Sequence, residues 1–122
     1  SNIPTALGKN QVFYYTSEDV YRNLAVSTEQ ELLIAATLEE VETIMLAKDI
    51  DLATAVVING IVKVDLNGHK LTLSKDTVGD GVFHVVAGGH LTIDGEGVVN
   101  GVGDNKWNIA IFADEGEVVI NK

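Results

Sequence analysis

The chain has 122 residues, no cysteine and a formal net charge of −10 at pH 7. This length suits a single domain with its own core, and the lack of cysteine excludes disulfides and thiolate metal sites. Arg22 is the single arginine beside 18 acidic residues, so the chain lacks the basic surface that binds nucleic acids and anionic membranes. We therefore expect neither partner, and no run approaches the ~18 apolar residues of a membrane-spanning helix.

Residues 1–26 lie outside the repeat that organises the rest of the chain. We expect them to form a leader that packs on the body of the fold or on a partner. Val12–Tyr15 combines β-branched and aromatic residues, which predicts a short strand. Its Tyr14 and Tyr15 are large side chains that favour packing against another surface.

A short helix is predicted within residues 28–37, at the start of a domain that spans 27–122. Thr28 and Glu31 match the S/T-x-x-E capping box, which satisfies free backbone N–H groups at the start of a helix, and an apolar helical face follows them. Because this helix comes directly before the first coil of the repeat, we expect it to cap the end of the coil stack, as atypical end elements do in solenoids.

The same layout of residues recurs at a step of 27 residues. Two blocks obey this step, 64–68 with 91–95 and 118–122, and 55–58 with 82–85 and 109–112. A third series runs through Ile44, Leu71 and Val98. Equal steps place strands side by side in one direction, and parallel crossovers are right-handed in about 98% of cases. The sequence therefore predicts an all-β fold: a short right-handed parallel β-helix of about three 27-residue coils with an N-terminal capping helix.

Alternation along the first block separates core positions from surface positions. The predicted inward set is Val64, Leu66, Leu91, Ile93, Val118 and Ile120. Asn67, Asp94 and Asn121 recur at one corner, where Asn and Asp tolerate the left-handed backbone conformation of a sharp turn and bond to neighbouring groups. These three residues are predicted to form a structural ladder.

The second block is apolar on both of its faces. If Val56, Phe83 and Phe112 point inward, an apolar set remains on the outside, and a soluble monomer rarely exposes so contiguous a patch. That outward set is Val57, Val82, His84, Ile109 and Ile111. We predict that this set is an interface to which Tyr14 and Tyr15 contribute, covered by the leader or by other subunits about a symmetry axis.

No metal or cofactor site is predicted. The three histidines, His69, His84 and His90, do not share one column of the repeat, so the convergence that a zinc site needs is missing. Asp49 and Asp76 stand one step apart and are the best candidates for calcium, but the third position of their column is a glycine.

Catalytic residues are not predicted either. A glycosidase needs two carboxylates across the scissile bond, and the candidate acids lie in Gly-rich bends, where acids are usually solvated turn formers. Asp94 with Glu96 is the leading pair. The other candidates are Asp76 with Asp80, and Asp114, Glu115 and Glu117.

The loop 101–108 departs from the repeat and contains the only tryptophan. Asp104, Asn105 and Trp107 combine a flat aromatic surface with polar groups, which suits sugar rings and their hydroxyls. These residues are candidate carbohydrate-binding residues with surface polysaccharide as the ligand. The alternative is that Trp107 covers the edge of the core.

Several runs resemble the pectate-lyase-like β-helix modules of bacterial surface proteins and of phage fibre and decoration proteins. These runs are VDLNGHKL at 64–71, GVFHV at 81–85, GGHLTIDGEG at 88–97 and VNG at 99–101. The resemblance covers about residues 26–122. It implies a non-catalytic structural or adhesive module of a cell-surface protein or phage particle, with an extracellular, cell-surface or virion location.

Two other functions stay open under this resemblance. One is a virion head-decoration or fibre protein that assembles as a trimer. The other is a polysaccharide-active lyase or hydrolase; a lyase of this class is expected to use calcium and a basic residue, and the coils contain no arginine. We expect a homo-oligomer, with a trimer favoured, or a larger parent protein.

Overall fold

The computed structural model describes residues 12–14, 22–73, 81–101, 111–113 and 116–121. They form one helix, α1 (Glu29–Ala35), and a series of short strands. The strands are β1 (Val12–Tyr14), β2 (Asn23–Val26), β3 (Thr43–Leu46), β4 (Ile50–Leu52), β5 (Val56–Ile58), β6 (Ile61–Asp65), β7 (Lys70–Leu73), β8 (Phe83–Val85), β9 (His90–Asp94), β10 (Val98–Gly101), β11 (Ile111–Ala113) and β12 (Glu117–Ile120).

The strands make three sheets. Sheet A has the order β1-β2-β3-β6-β9-β12, sheet B has the order β10-β7-β4, and sheet C has the order β11-β8-β5. Every pairing is parallel except that of β1 with β2. From β3 to β12 the chain passes through sheets A, B and C in that order three times and returns to A. The prediction of a β-rich fold with parallel sheets and one short helix is confirmed.

The predicted step of 27 residues holds for part of sheet A. Leu91 lies opposite Val118, as expected. Val64 lies opposite Ile93 and not Leu91, so this register differs from the prediction by two residues. Loops outside the sheet can add residues to a coil without disturbing its strands. A shift of two residues keeps every side chain on its predicted face, because side chains alternate with a period of two.

Sheet C departs from the prediction by one residue. Val56 lies opposite Phe83, which matches the 27-residue step. Phe83 then lies opposite Ile111, and Phe112 lies opposite His84. A one-residue shift exchanges the two faces of a strand, so the prediction that Ile111 shares a row with His84 is wrong.

The third predicted series is also wrong. Ile44 lies in sheet A, opposite Val64. Leu71 lies in sheet B, where it pairs with Ile50 on one side and Val99 on the other. The first coil is shorter than the later ones, so a 27-residue step starting from Ile44 overshoots into the next sheet.

The core lies between the three sheets. Among the described residues no polar or charged side chain is buried. The largest fully buried side chains come from all three sheets and from α1: Phe83, Leu24, Leu32, Ile44, Leu46, Leu52, Ile58, Leu71, Leu73, Leu91, Val26 and Val56. Burying such side chains is the dominant stabilising term in a fold of this kind.

Most of the predicted inward set of sheet A is buried. Val64, Leu66, Leu91 and Ile93 are at most 4% exposed, and Val118 is half-buried against the core. Ile120 lies opposite the buried Ile93, on the predicted inward row, but it is 57% exposed. It lies on β12, the last described strand of sheet A, and no described strand packs beyond it.

Helix α1 forms where the capping box predicted it. The Thr28 hydroxyl accepts a hydrogen bond from the backbone N–H of Glu31 at 3.1 Å. The Glu31 carboxylate accepts one from the N–H of Ser27 at 2.7 Å, one residue before the position that a capping box normally uses. Leu32 and Ala35 are buried, and the helix contacts β2, β4 and β5.

Sheet A includes strands that come before the predicted domain boundary at residue 26. Strand β2 lies in the predicted leader, yet it pairs in parallel with β3 and places Leu24 and Val26 in the core. On its other side it pairs with β1, which covers most of the predicted strand Val12–Tyr15. The leader therefore contributes two strands to sheet A.

Candidate functional site: the outer face of sheet A and its groove

The outer face of sheet A carries rows of polar side chains. One row places Thr43, Lys63 and Thr92 opposite one another in successive strands, and the apolar Val119 follows them on β12. On β3, β6 and β9 the residues of this row alternate with buried residues that point to the core. Strands in a sheet are about 4.8 Å apart, so the face presents functional groups at a regular spacing along the stack.

Charged pairs connect neighbouring strands across this face. His90 lies directly opposite Glu117, and its Nδ1 atom is 2.6 Å from Oε1 of the carboxylate. The Nζ atom of Lys63 is 3.8 Å from a carboxylate oxygen of Asp94, which belongs to the next strand. All four side chains are roughly half exposed, so solvent screens both interactions.

A third pair connects two coils at the start of sheet B. The Nδ1 atom of His69 is 3.1 Å from Oδ1 of Asp49, and the same oxygen accepts a hydrogen bond from the backbone N–H of Lys70 at 3.0 Å. That backbone bond, followed by the bond to His69, lowers the pKa of the Asp49 carboxyl from its ordinary value.

A depression in the described surface lies at the edge of the outer face of sheet A. It is a groove of about 820 Å³ whose polar wall includes Arg22, Glu42 and Lys63. The Nε atom of Arg22 is 4.0 Å from Oε2 of Glu42. Ile61 lies in the same groove and is 78% exposed, the highest value among the large apolar side chains described.

A second cavity of about 730 Å³ adjoins this groove at the corner between sheets C and A. The two cavities share Glu39, Val41, Ile61 and Val62, so they lie side by side at this corner. We call the combined depression the Ile61 groove. Its walls mix carboxylates, cations, hydroxyls and an aliphatic surface, which together can accept and donate hydrogen bonds around a partly apolar ligand.

The predicted ladder does not form as expected. Asp94 lies opposite Asp65, not Asn67, because of the two-residue shift. Asn67 has a positive φ of 52°, as a sharp corner requires, and its side-chain amide donates to the carbonyl of Leu46 at 3.1 Å. Asn121 does lie next to Asp94, in the predicted ladder position, since its N–H donates a hydrogen bond to the carbonyl of Ile93 at 2.7 Å. Asn67 therefore stabilises its own corner by bonding to the preceding coil.

The structure brings two of the predicted interface residues together and buries a third. Val57 is 49% exposed on sheet C, and His84 lies opposite it and is half-buried. Val82 is fully buried, so its predicted position on the outer surface is wrong. It precedes β8, and its carbonyl accepts a hydrogen bond from the N–H of Val56.

Other predicted residues lie partly or wholly beyond the described structure. Tyr14 and Ile111 lie in the described strands β1 and β11, where only the backbone is described. The remainder lie outside the described residues: Tyr15, Asp76, Asp80, Asp104, Asn105, Trp107, Ile109, Asp114 and Glu115.

Of the candidate carboxylates that are described, two already have partners. Asp94 faces Lys63, and Glu117 faces His90. Glu96 lies on the exposed turn after β9. Within the described residues, no three histidine or acidic side chains come together as a metal site.

The sequence analysis did not predict the charged pairs that connect coils, although the repeat could have identified one of them. His90 and Glu117 are 27 residues apart, which is the repeat step itself, so the step could have identified them. His69 and Asp49 are 20 residues apart, which matches the shorter first coil and could not be read from a 27-residue step.

None of the described helical segments has the length and apolar character needed to cross a membrane. Comparison of the chain with protein-family models, with curated proteins and with solved structures found no match.

Proposed function

We propose that the chain is a right-handed parallel β-helix module with a non-catalytic, structural or adhesive role in a cell-surface protein or phage particle. The parallel sheets and their threefold recurrence in one order support a solenoid of this type. Right-handedness follows from the general preference of parallel crossovers. The proposed location, at a cell surface or in a virion, is what the resemblance to pectate-lyase-like modules implies.

The observation that carries the structural role is the way charged side chains are used. His90 and Glu117 occupy opposed positions of adjacent strands and contact each other at 2.6 Å. His69 and Asp49 connect the preceding coils in the same manner. These pairs join histidine and acidic side chains of adjacent coils, which supports a structural role for them.

The Ile61 groove favours an adhesive role as the second candidate function. Sugars present hydroxyls next to apolar C–H faces, and a groove with Arg22, Glu42, Lys63 and the exposed Ile61 offers partners for both. The proposed ligand class is surface polysaccharide. A lyase or hydrolase acting in the same groove is the enzymatic alternative.

The proposed partners are identical subunits, with a trimer favoured, or a larger parent protein. The outer row of sheet C, with Val57 and His84, is the proposed trimer surface, because a half-exposed valine there is available for packing.

The test combines turnover with binding. The protein is incubated with neutral and acidic polysaccharides, and new reducing ends and unsaturated uronate products are measured. We expect no product. Product formation that disappears in Lys63→Ala but persists in Lys48→Ala, an exposed lysine outside the groove, would establish the enzymatic alternative instead.

Binding to the same polysaccharides separates the structural role from the adhesive one. Retention on immobilised polysaccharide that is weakened in Lys63→Ala and Ile61→Ser, and unchanged in Lys48→Ala, would support adhesion through the Ile61 groove. If neither the parent chain nor any variant is retained on the polysaccharide, the adhesive role is excluded and the structural role is the one that stands.

A further inference from the structure

The Ile61 groove lies where two neighbouring strands of sheet A start at different levels. Strand β6 begins at Ile61, whereas its neighbour β3 begins at Thr43, which lies opposite Lys63. The part of β6 that extends beyond β3 lines the groove together with the segment that follows α1. The groove therefore occupies a position beside β6 where a longer β3 would have lain.

The backbone of Ile61 directs its polar groups to this side of β6. Along a strand of a parallel sheet, successive residues form their ladder hydrogen bonds alternately with the two neighbouring strands. The N–H of His90 donates to the carbonyl of Gly60, and the N–H of Lys63 donates to the carbonyl of Glu42 on the β3 side. Ile61 is two residues before Lys63, so its N–H and C=O groups also point to the β3 side.

Neither of these two groups has a hydrogen-bond partner within the described chain. A continued ladder would bring the N–H of Glu42 to the Ile61 carbonyl, but that N–H donates to the carbonyl of Arg22 at 2.7 Å. The residue opposite Ile61 in the next coil, His90, has the bond to Gly60 that the N–H of Ile61 lacks. An uncharged donor and an uncharged acceptor therefore face the groove next to the 78% exposed side chain of Ile61.

The charges around the groove disfavour an ionic ligand. Arg22 lies 4.0 Å from a carboxylate oxygen of Glu42, and Lys63 lies 3.8 Å from a carboxylate oxygen of the next strand. Glu39 and Glu40 also line the groove, and the chain has a net charge of −10. An acidic ligand is therefore repelled, while a cationic ligand gains little from exposed, solvated carboxylates.

We propose that the Ile61 groove binds neutral polysaccharide and that the backbone of Ile61 is its recognition element. Sugar hydroxyls both donate and accept, so neighbouring hydroxyls can bond to the N–H and the C=O while an apolar sugar face packs on the Ile61 side chain. None of these contacts requires charge on the ligand. The proposal rests on the adhesive candidate function and adds the ligand's charge class and the group that reads it.

The first test is retention of the parent chain on immobilised polysaccharides of three charge classes. The neutral class is dextran, starch and galactomannan, the acidic class is polygalacturonate and alginate, and the cationic probe is chitosan. We expect retention on a neutral polysaccharide that is the same at about 0.05 M and about 0.5 M salt, because salt screens charge interactions only. The acidic polysaccharides should not retain the chain.

The outcomes separate this proposal from the adhesive function on which it rests. Retention on the acidic or cationic polysaccharides alone, lost at the higher salt concentration, would overturn the neutral ligand and leave adhesion standing. Retention on none of the polysaccharides would overturn both.

The second test removes the backbone donor. Proline lacks an N–H group and is tolerated at the first residue of a strand, which is the position of Ile61 in β6. Ile61→Val keeps the N–H with a side chain of similar size to proline and is the matched control. We expect Ile61→Pro to bind the retaining polysaccharide about tenfold more weakly than Ile61→Val, as expected for one lost hydrogen bond. Equal binding of the two variants would overturn the role of the backbone.

A measurement on the parent chain covers the case in which Ile61→Pro does not fold. Oligosaccharides cut from the retaining neutral polysaccharide are titrated into the protein, and backbone amide resonances are followed by NMR. The amide of Ile61 should shift, whereas that of Thr72 on sheet B should not. An Ile61 amide that does not shift while the oligosaccharide binds would overturn the proposal.

Discussion

Glu117 lies directly opposite His90 in adjacent parallel strands of sheet A, and the carboxylate oxygen Oε1 is 2.6 Å from the imidazole Nδ1. Side chains opposed in this way are the units through which neighbouring strands of a sheet stabilise each other. The pair connects β12, the last described strand of sheet A, to β9, its neighbour in the sheet.

Replacing Glu117 by Gln should therefore reduce stability modestly. Both side chains are half exposed or more, and exposed pairs contribute about 0.2 to 1 kcal/mol. A double-mutant cycle with His90→Gln, followed by urea unfolding at low and high salt, measures the coupling. Glu96→Gln makes the same change of charge on the exposed turn after β9 and serves as the control. A coupling of zero at low salt would mean that the contact does not stabilise the fold.

The Asp49 carboxyl should make the stability of the fold depend on pH in the acid range. The backbone N–H of Lys70 and then the His69 side chain lower the pKa of its carboxyl below 3.8. A carboxyl with a lower pKa in the folded than in the unfolded chain stabilises the fold above its ordinary pKa, and the stabilisation is lost as pH falls through the folded value.

The corresponding experiment compares the Tm of the parent and of Asp49→Asn between about pH 6 and pH 2.5, a range that spans the ordinary carboxyl pKa. We expect the variant to melt lower at the upper end and the difference to shrink below pH 3.8, the ordinary value of this carboxyl. Asp51→Asn, at an exposed position of β4, is the control for loss of one negative charge. A difference in Tm that stays constant across this range would contradict the assignment.

The sequence predicted the faces of sheet A better than its register. Alternation identified Leu91 and Ile93 as core residues, and both are buried. The 27-residue step nevertheless aligned Val64 with the wrong partner, because the number of residues in a coil depends on corner loops that lie outside the sheets. A two-residue insertion preserves the face of every side chain, so the error had no effect on the core.

Sheet C shows the opposite outcome. A shift of a single residue between β8 and β11 moved Ile111 from the row of His84 to that of Phe83. The interface prediction depended on that row, and it also placed Val82, which is buried, on the surface. Strands that are apolar on both faces contain no alternation from which the register could be read, so the sequence alone could not correct the assignment.

Two isoleucines that differ in exposure should differ in how much stability is lost when each is replaced by alanine. Ile93 is buried in the core of sheet A, whereas Ile61 is 78% exposed on β6. Ile93→Ala should reduce the free energy of unfolding by about 2 to 5 kcal/mol, the usual cost of a large-to-small change in a core. Ile61→Ala removes the same atoms from a solvated position and should change it by less than about 0.5 kcal/mol. Equal effects in urea unfolding would show that the core is assigned to the wrong face.

A column of glycines at the corner before sheet A provides the sharpest test of the coil packing. The carbonyl of Gly60 accepts a hydrogen bond from His90, and the carbonyl of Gly89 accepts one from Glu117, so the two glycines hold equivalent positions in successive coils. Their surroundings differ. A Cβ atom on Gly89 would collide with the carbonyl oxygen of Ile58, whereas a Cβ atom on Gly60 would meet no atom within 4 Å.

Gly89→Ala should therefore destabilise the fold by about 1 to 3 kcal/mol, the range for overpacking a well-packed site. Gly60→Ala should be neutral or should stabilise by up to about 1 kcal/mol, because alanine reduces the conformational entropy of the unfolded chain. Neither glycine has a positive φ, so the contrast between them reflects space and not backbone conformation. Urea unfolding of the two variants measures the difference. Similar stabilities of the two variants would mean that the backbone of Gly89 and the carbonyl oxygen of Ile58 in the preceding coil are not in close contact.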